Sequence, residues 1–578
     1  MKKTGAELLV QGLKRNGVDT IFTLVGDHIS NILRFCGGYG IRLVEVRHEA
    51  AIVHMADAWS TFTRAPAVCL STSGPGAANM ASGVAHAFAS GGGAPLIVLT
   101  GQIHATNLGR DAFQELDIES MYRPITKWSQ VVRSPEQALD AVDAAFREVL
   151  AGHPGPVHLN LPSSAMAAEA EAPSWLEASA SSPDAWKRFV RHPAICEAEL
   201  ERIVGLLLSA RRPVVIAGAG VWWSHAEHAL ARFVETTRIP CFTADLGHGC
   251  LSDDHPLCFG RAEAIANPAA RLLASADVVL VVGGRIDFNL SFGDARAFAP
   301  DAKLIHIDIE ARHLGKNREV AIGVVGEARA ALEQLSARAT TSQVQWVESP
   351  LVNELRAAAA ERDRRFAELS RPVDGTIHPL QLHAGVMKLL NDDAIVGVDY
   401  GNFGCWIRSC ARARHGAQVM RWGMSSLGLS IPWGVAAKLA NPDKQVVVFL
   451  GDGAFGFYPF ELATAVKYKV PILLIVGNDA GWGYEVLWQK HAYKVQENVA
   501  CDLGFVRYDL VAEALGAHGE LVSHPGELEP AVKRALASGL PACINVKLAQ
   551  PQADHVKQIP EMWGPGRSER RILSIETK

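Results

Sequence analysis

Eight short apolar runs, rich in β-branched residues, recur along the 578-residue chain with Ala-rich stretches between them. They read PAVCLST (66–72), APLIVLTG (94–101), RPVVIAGAG (212–220), ADVVLVVGG (276–284), KLIHIDI (303–309), AIVGVDYG (394–401), KQVVVFLGDG (444–453) and VPILLIVGND (470–479). A strand apolar on both faces is one that helices cover from both sides, so these runs predict parallel sheets in an α/β chain. One hydrophobic core rarely serves so long a chain, and about three domains are expected. Residues 166–190, rich in Ala, Ser, Pro and acid, read as a linker, and 338–352 as a weaker second one. The expected blocks are 1–165, 190–340 and 370–550, followed by a tail at 551–578.

Several function classes fall away on composition. The net charge of −5 gives no reason to expect a nucleic acid or an anionic membrane as partner. No run of 18 apolar residues suggests a membrane span. The start, MKKTGAELLVQGLKRNGVDTIF, reads as an amphipathic helix and a strand, without the apolar core and cleavage site of a signal peptide. Ten cysteines are scattered without a CxxC pair, which fits a reducing cytoplasm better than a disulfide or zinc framework.

The segment VVVFLGDGAFGFYPFELATAVKYKVPILLIVGNDAGWG carries the most chemistry. A strand runs into Gly451-Asp452-Gly453, a helix follows, and a second strand ends at Asn478-Asp479. Glycines let a backbone approach a ligand closely, and a helix N-terminus offers free N–H groups to phosphate. Asp452 and Asp479, 27 residues apart, place two hard oxygen ligands at the ends of consecutive strands, which suits Mg²⁺ bridging phosphates.

GDG followed at this distance by an Asn/Asp-ended strand resembles the thiamine diphosphate motif. The order of the three blocks resembles the enzymes that use this cofactor, nearest the group of acetolactate synthase, benzaldehyde lyase, oxalyl-CoA decarboxylase and 2-hydroxyacyl-CoA lyase. The resemblance covers nearly the whole chain. It implies three open parallel-sheet domains: pyrimidine-binding, central Rossmann-like and diphosphate-binding. It further implies metal ligation by the side chains of Asp452 and Asp479 and the Gly481 carbonyl, with Gly451, Gly453 and Ala454 at the diphosphate. The family usually has Asn where this chain has Asp479, an added anionic ligand that should still hold Mg²⁺.

RHEAAIVHMADAWS (47–60) is similar to the family segment in which a glutamate hydrogen-bonds N1′ of the cofactor's aminopyrimidine. The match falls on Glu49, and it accounts for a carboxylate in an otherwise apolar helix-like run, where an unpaired one is expensive. DYGNFGCW (399–406) is similar to a family turn that contacts the diphosphate, which implies Asn402 as a candidate contact. SSLGLSIPWG (425–434) replaces a Gly-x-Met-Gly stretch, so Gly428 and Leu429 (or Ile431) would support the cofactor. Because relatives draw the two motifs from different subunits, a homodimer is the minimum and a homotetramer the expected state. The lone GxG of IAGAGVWW (216–223) does not commit the central domain to FAD or ADP, on which relatives differ.

Four further stretches bear on the reaction. His28 in TLVGDHISNIL (23–33) matches a benzaldehyde lyase histidine that serves proton transfer, and Gln114 in GRDAFQEL matches a glutamine near the reacting carbon. Acetolactate synthases carry an arginine for the second keto acid's carboxylate where GRIDFNLSFG (284–293) has Asn289. Glu485, in the loop GYEVLWQK with its synthase-like Trp488-Gln489, is a further candidate at the substrate. Arg567, Arg570 and Arg571 could let the tail close over the site and meet a CoA phosphate. From sequence alone the expected activity is a carbon–carbon lyase on a 2-hydroxyacyl-CoA or acyloin. The alternative is acetolactate synthase or another 2-oxo-acid decarboxylase/carboligase.

Overall fold

The computed structural model describes residues 1–178, 182–264, 267–342, 345–371, 373, 375–491, 493–495 and 497–550. The tail at 551–578, with Arg567, Arg570 and Arg571, lies outside the described residues.

Three sheets, parallel throughout, form where the apolar runs fall. The first has β1 (Thr20–Thr23), β2 (Arg42–Glu45), β3 (Ala67–Ser71), β4 (Leu96–Gln102), β5 (Ser129–Val131) and β6 (Val157–Pro162), in the order β2-β1-β3-β4-β6-β5. The second has β7 (Pro213–Ala217), β8 (Cys241–Thr243), β9 (Cys258–Arg261), β10 (Val278–Val282), β11 (Lys303–Asp308) and β12 (Ile322–Val325), in the order β9-β8-β7-β10-β11-β12. The third has β13 (Ile395–Val398), β14 (Val446–Gly451), β15 (Leu473–Asn478), β16 (His518–Val522) and β17 (Ala542–Lys547), in the order β13-β14-β15-β17-β16. The strands β3, β4, β7 and β10 are buried along their whole length, as two-sided helix cover requires.

By contacts the chain forms two units. The first is Met1–Arg191 with Gly423–Asp443 and Tyr458–Val470, and the second holds the remaining described residues. Two helices of the third block, Ser430–Ala440 and Glu461–Lys467, thus belong to the first unit. The reason lies in the helix Glu49–Thr63, which is buried around nearly its whole circumference. It needs cover beyond its own sheet, and takes it from Pro75–Ala89 on one side and Ser430–Ala440 on the other.

The expected linkers are more ordered than their composition suggests. Within 166–190, Glu169–Glu171 pairs antiparallel with Lys2–Thr4, and Leu176 and Trp186 join the first unit's core. Short apolar anchors override a polar composition there. The second stretch, 338–352, is helical at both ends, closing Ala328–Thr341 and opening Pro350–Leu369. No helix among the described residues is long and apolar enough to cross a membrane. All ten cysteines are free.

Candidate active site

In the first unit, chain reversal between β1 and β3 creates a topological switch point, where open α/β sheets bind ligands. The turn after β1 carries His28, and Thr72–Gly74 follow Ser71, the last residue of β3. The two turns meet: Ser73 Oγ lies 2.9 Å from His28 Nδ1 and 3.5 Å from Gln114 Oε1. Gln114 reaches this position through a left-handed backbone (φ 63°), and its own backbone packs against Gly74 (φ 59°). A Cβ at Gly74 would come within 3.0 Å of Gln114, so only glycine permits this approach. His28 and Gln114 are therefore brought together, and Ser73 is the link that the sequence did not reveal.

Glu49 opens the helix Glu49–Thr63, with His48 as N-cap accepting from Ala50 N–H. Its carboxylate accepts from Asn79 Nδ2 at 3.0 Å. The sequence suggested a buried carboxylate; the chain instead leaves Glu49 half-buried, because the helix start projects at the sheet's ligand-binding edge. Its position is fixed from below. Glu461, 1% exposed, accepts from the backbone N–H groups of Arg47 (2.9 Å) and His48 (3.1 Å) and from Thr464 Oγ1 (2.7 Å). Burial pushes the Glu461 carboxyl upward in pKa against these donors. Near Glu49, the buried hydroxyls of Ser71 and Thr72 have no hydrogen-bond partner among the described residues. Unspent polar groups beside a half-covered carboxylate suit a polar heterocycle.

Gly428 (φ 78°) and Leu429 precede the helix Ser430–Ala440 in this same unit. Leu429 and Ile431 are both buried, so either could present the apolar support expected of this stretch.

In the second unit, β13, β14 and β15 lie side by side, and their C-terminal ends carry the diphosphate candidates. Asp452 starts a short helix after β14, and its Oδ2 accepts from Gly481 N at 2.9 Å. Asp479 follows β15, in a turn set by Asn478, whose Oδ1 accepts from Ala480 N and whose Nδ2 donates to Asn545 and Val506. Both carboxyls are buried. Burial, opposed by the surrounding N–H groups, pushes Asp452 up to about 6. Burial and then the charge of Asp452 push Asp479 well above the carboxylate range. Two adjacent buried carboxylates with no ion pair to a cationic side chain among the described residues form a donor set that a divalent ion would relieve. No group of three or more His, Cys, Asp or Glu that could hold a metal is found among the described residues, so further ligands would be other oxygens: a carbonyl, water or a bound phosphate. The Gly481 carbonyl, which accepts from Gly483 N, retains a second lone pair for that role.

Asn402, at the start of the helix Asn402–Cys410, is buried, and its Oδ1 has no hydrogen-bond partner among the described residues. Beside it Gly401 (φ 101°), like Gly451, would direct a Cβ into open space. The backbone is bare where a phosphate would approach. Gly453, by contrast, is needed for packing, since a Cβ there would strike the Trp482 ring at 2.3 Å. Ala454 is buried in the same helical turn. Asp479 and Gly481 line a cavity of 160 Å³ with Cys501, Asp502 and Gln550. Glu485 is exposed on the helix Gly483–His491, and among the described residues no hydrogen bond or ion pair ties it to the other candidates.

The central sheet's glycines do not form an open cradle. Gly220 N donates to Gly283 O at 2.7 Å, and a Cβ at Gly218 would lie 2.3 Å from Gly284 Cα. They serve close packing of one loop on the next. Asn289 Nδ2 approaches Asp245 Oδ1 (3.4 Å), and its backbone N–H donates to Asp287 (2.9 Å). Burial and the charge of Asp287 push Asp245 up to about 7.

Three segments of the chain match known families. Residues 3–121 match the thiamine pyrophosphate enzyme N-terminal TPP binding domain, 200–335 the central domain and 399–546 the C-terminal TPP binding domain. The chain belongs to the thiamine pyrophosphate enzymes, and it is a thiamine diphosphate-dependent enzyme of the acetolactate synthase and 2-hydroxyacyl-CoA lyase group. It is 36% identical over 542 residues to a probable acetolactate synthase of Mycobacterium bovis, covering 93% of this chain and 94% of that one. A probable acetolactate synthase large subunit of Methanocaldococcus jannaschii is 31% identical over 569 residues, 95% of this chain and 92% of that one. Human 2-hydroxyacyl-CoA lyase 2 is 30% identical over 562 residues, 90% of this chain and 86% of that one.

Proposed function

We propose that this enzyme is a magnesium-dependent carboligase of the acetolactate synthase type. It would decarboxylate a 2-oxo acid such as pyruvate and join the acyl fragment to the carbonyl of a second molecule. The observation that carries this reading is the near end-to-end similarity to probable acetolactate synthases, in a chain with a polar His28–Ser73–Gln114 cluster at the sheet's switch point. That similarity reverses the order reached from the sequence alone, where lyase chemistry came first.

Thiamine diphosphate, when bound, supplies the electron sink for the bond next to the carbonyl. The remaining work falls to this chain. Glu49 would hold the proton shared with the pyrimidine ring, with Asn79 orienting the carboxyl. Asp452, Asp479 and the Gly481 carbonyl would hold Mg²⁺, and Asn402 with the backbone at Gly451–Ala454 would meet the diphosphate. With Nδ1 on Ser73, His28 keeps Nε2 to pass a proton to or from a substrate oxygen, and Gln114 would orient that oxygen. From the family pattern, in which the two motifs come from different subunits, the proposed state is a homodimer at minimum and a homotetramer as expected, and the free cysteines suit a cytoplasmic setting.

One observation favours the second reading, cleavage of a 2-hydroxyacyl-CoA or acyloin. Asn289 stands among carboxyls, Asp245 and Asp287, rather than presenting a cation. A site that must hold a second keto acid's carboxylate benefits from a bidentate arginine. Parallel assays separate the two: acetolactate formed from pyruvate, and aldehyde or ketone released from a 2-hydroxyacyl-CoA. The first reading expects the former to dominate. Thioester cleavage without acetolactate would replace it with the second.

A further inference from the structure

The second unit contains a cavity of 280 Å³ that none of the candidate catalytic residues lines. Strand β9, the helix Pro350–Leu369 and the end of the helix Asn402–Cys410 enclose it. Arg261, only 4% exposed, lines it, and its Nε, Nη1 and Nη2 have no hydrogen-bond partner among the described residues. A buried guanidinium without partners is among the costliest arrangements a fold can hold.

The neighbouring charges do not resolve it. Arg408, which also lines the cavity, is already spent on Glu263, through Nε at 3.1 Å and Nη2 at 2.5 Å, and lies over the Trp422 ring, while its Nη1 has no hydrogen-bond partner among the described residues. Asp253 is taken by His248 Nε2 at 2.9 Å, Ala413 N at 2.8 Å and the Cys258 thiol. At the mouth, Arg356, Arg362 and Arg412 pair with Glu348, Asp363 and Asp254. These acids lining or bordering the cavity are therefore engaged, while four guanidinium nitrogens, three on Arg261 and one on Arg408, have no hydrogen-bond partner among the described residues.

We propose that this cavity binds a phosphate group as its hydrogen phosphate form. The donors belong to two guanidinium groups rather than to one planar fork. A tetrahedral oxyanion offers oxygens to both, where a carboxylate offers two in one plane. His248 supplies the second part of the match. With Nε2–H donating to Asp253, its buried Nδ1 is an acceptor without a partner among the described residues in the neutral ring, and burial and the charge of Arg261 favour that neutral form. A P–OH group can donate to it. Sulfate, fully ionised at neutral pH, cannot. The phosphate could be free or the phosphoryl group of a larger metabolite; the recognising chemistry is the same. Helix Asn402–Cys410 carries Asn402 at one end and Arg408 near the other, so occupancy of the cavity would be felt along the element that presents the diphosphate candidate.

The test uses the holoenzyme saturated with thiamine diphosphate and Mg²⁺, so that the diphosphate site is already filled. Thermal midpoints are read with 10 mM inorganic phosphate, glycerol phosphate, sulfate or chloride at matched ionic strength. The expected result is a rise of about 2 °C or more with inorganic phosphate or the ester, a smaller one with sulfate and none with chloride. Which of the two phosphates acts more strongly identifies the source. Arg261→Met should remove the response and raise the midpoint in anion-free buffer, because it deletes an unpaired buried charge. Ala359→Phe, which fills the cavity mouth from the helix Pro350–Leu369 and leaves the arginines in place, should also remove the response. An equal response to sulfate would overturn the role of His248 and with it the hydrogen phosphate assignment. No response to either phosphate, an equal response to chloride, or a response that survives in Ala359→Phe would overturn the site.

Discussion

Glu461 is the residue through which the fold positions Glu49, and replacing it separates hydrogen bonding from charge. One oxygen, Oε1, accepts both the Arg47 and His48 N–H groups; the other accepts from Thr464. Glu461→Ala orphans two backbone donors in a site that is 1% exposed. At about 1–2 kcal/mol for each buried donor left unmade, the loss is on the order of 3 kcal/mol. Glu461→Gln keeps a carbonyl oxygen for both backbone donors and turns its amide toward the threonine hydroxyl, which can accept. The cost should stay below about 1 kcal/mol. The loop held by Glu461 leads directly into Glu49, so the Ala variant should also lose at least about 10-fold in kcat through misplacement. Urea unfolding followed by tryptophan fluorescence, alongside steady-state turnover, reads both effects. Stability of Glu461→Ala within about 0.5 kcal/mol of the parent would refute the argument, as would a Gln variant as damaged as the Ala variant.

Other outcomes follow from the same structure. Asp452→Ala should abolish Mg²⁺-dependent binding of the cofactor, whereas Asp479→Asn, which keeps a carbonyl oxygen in place, should bind within a few-fold of the parent by calorimetry. His28→Ala should slow turnover by about 100-fold, as for a lost acid–base group, with cofactor affinity unchanged; unaltered turnover would remove His28 from the chemistry. Asp245 holds its proton up to about pH 7, far above an unfolded aspartate. The folded state therefore binds more protons than the unfolded one, and this group's contribution to stability falls as pH rises from about 4 through 7. Asp245→Asn should flatten that decline, so its advantage over the parent should be larger at pH 8 than at pH 5 in unfolding experiments.

What the sequence revealed, and what it did not, divides along the chain's contacts. The apolar runs marked strands in all three sheets because two-sided burial leaves a continuous signature in local composition. Asp452 and Asp479 were legible because both follow strands that turned out to be neighbours. Ser73, Asn79 and Glu461 were not, since an ordinary serine, asparagine or glutamate gains its role only when topology brings it to His28, Glu49 or the Arg47–His48 backbone. Glu461 is the clearest case, lying 412 residues beyond Glu49 in sequence yet packed beneath its helix start. Residues 166–190 misled in the other direction, because a short strand pairing and a few buried apolar side chains, Met166, Leu176 and Trp186 among them, anchor a polar segment. Arg261 carried no signal at all: nothing in FGRAEA tells a buried arginine from a solvated one.

The most direct test of the central claim is turnover of enzyme stripped of cofactor and metal, then restored, in the parent and in Glu49→Gln. Activity on a 2-oxo acid or a 2-hydroxyacyl-CoA should return only when thiamine diphosphate and Mg²⁺ are both present. Glu49→Gln, saturated with cofactor and folded as the parent, should remain at least about 100-fold slower. Near-normal kcat in Glu49→Gln under saturation, or full activity without added cofactor, would contradict the account.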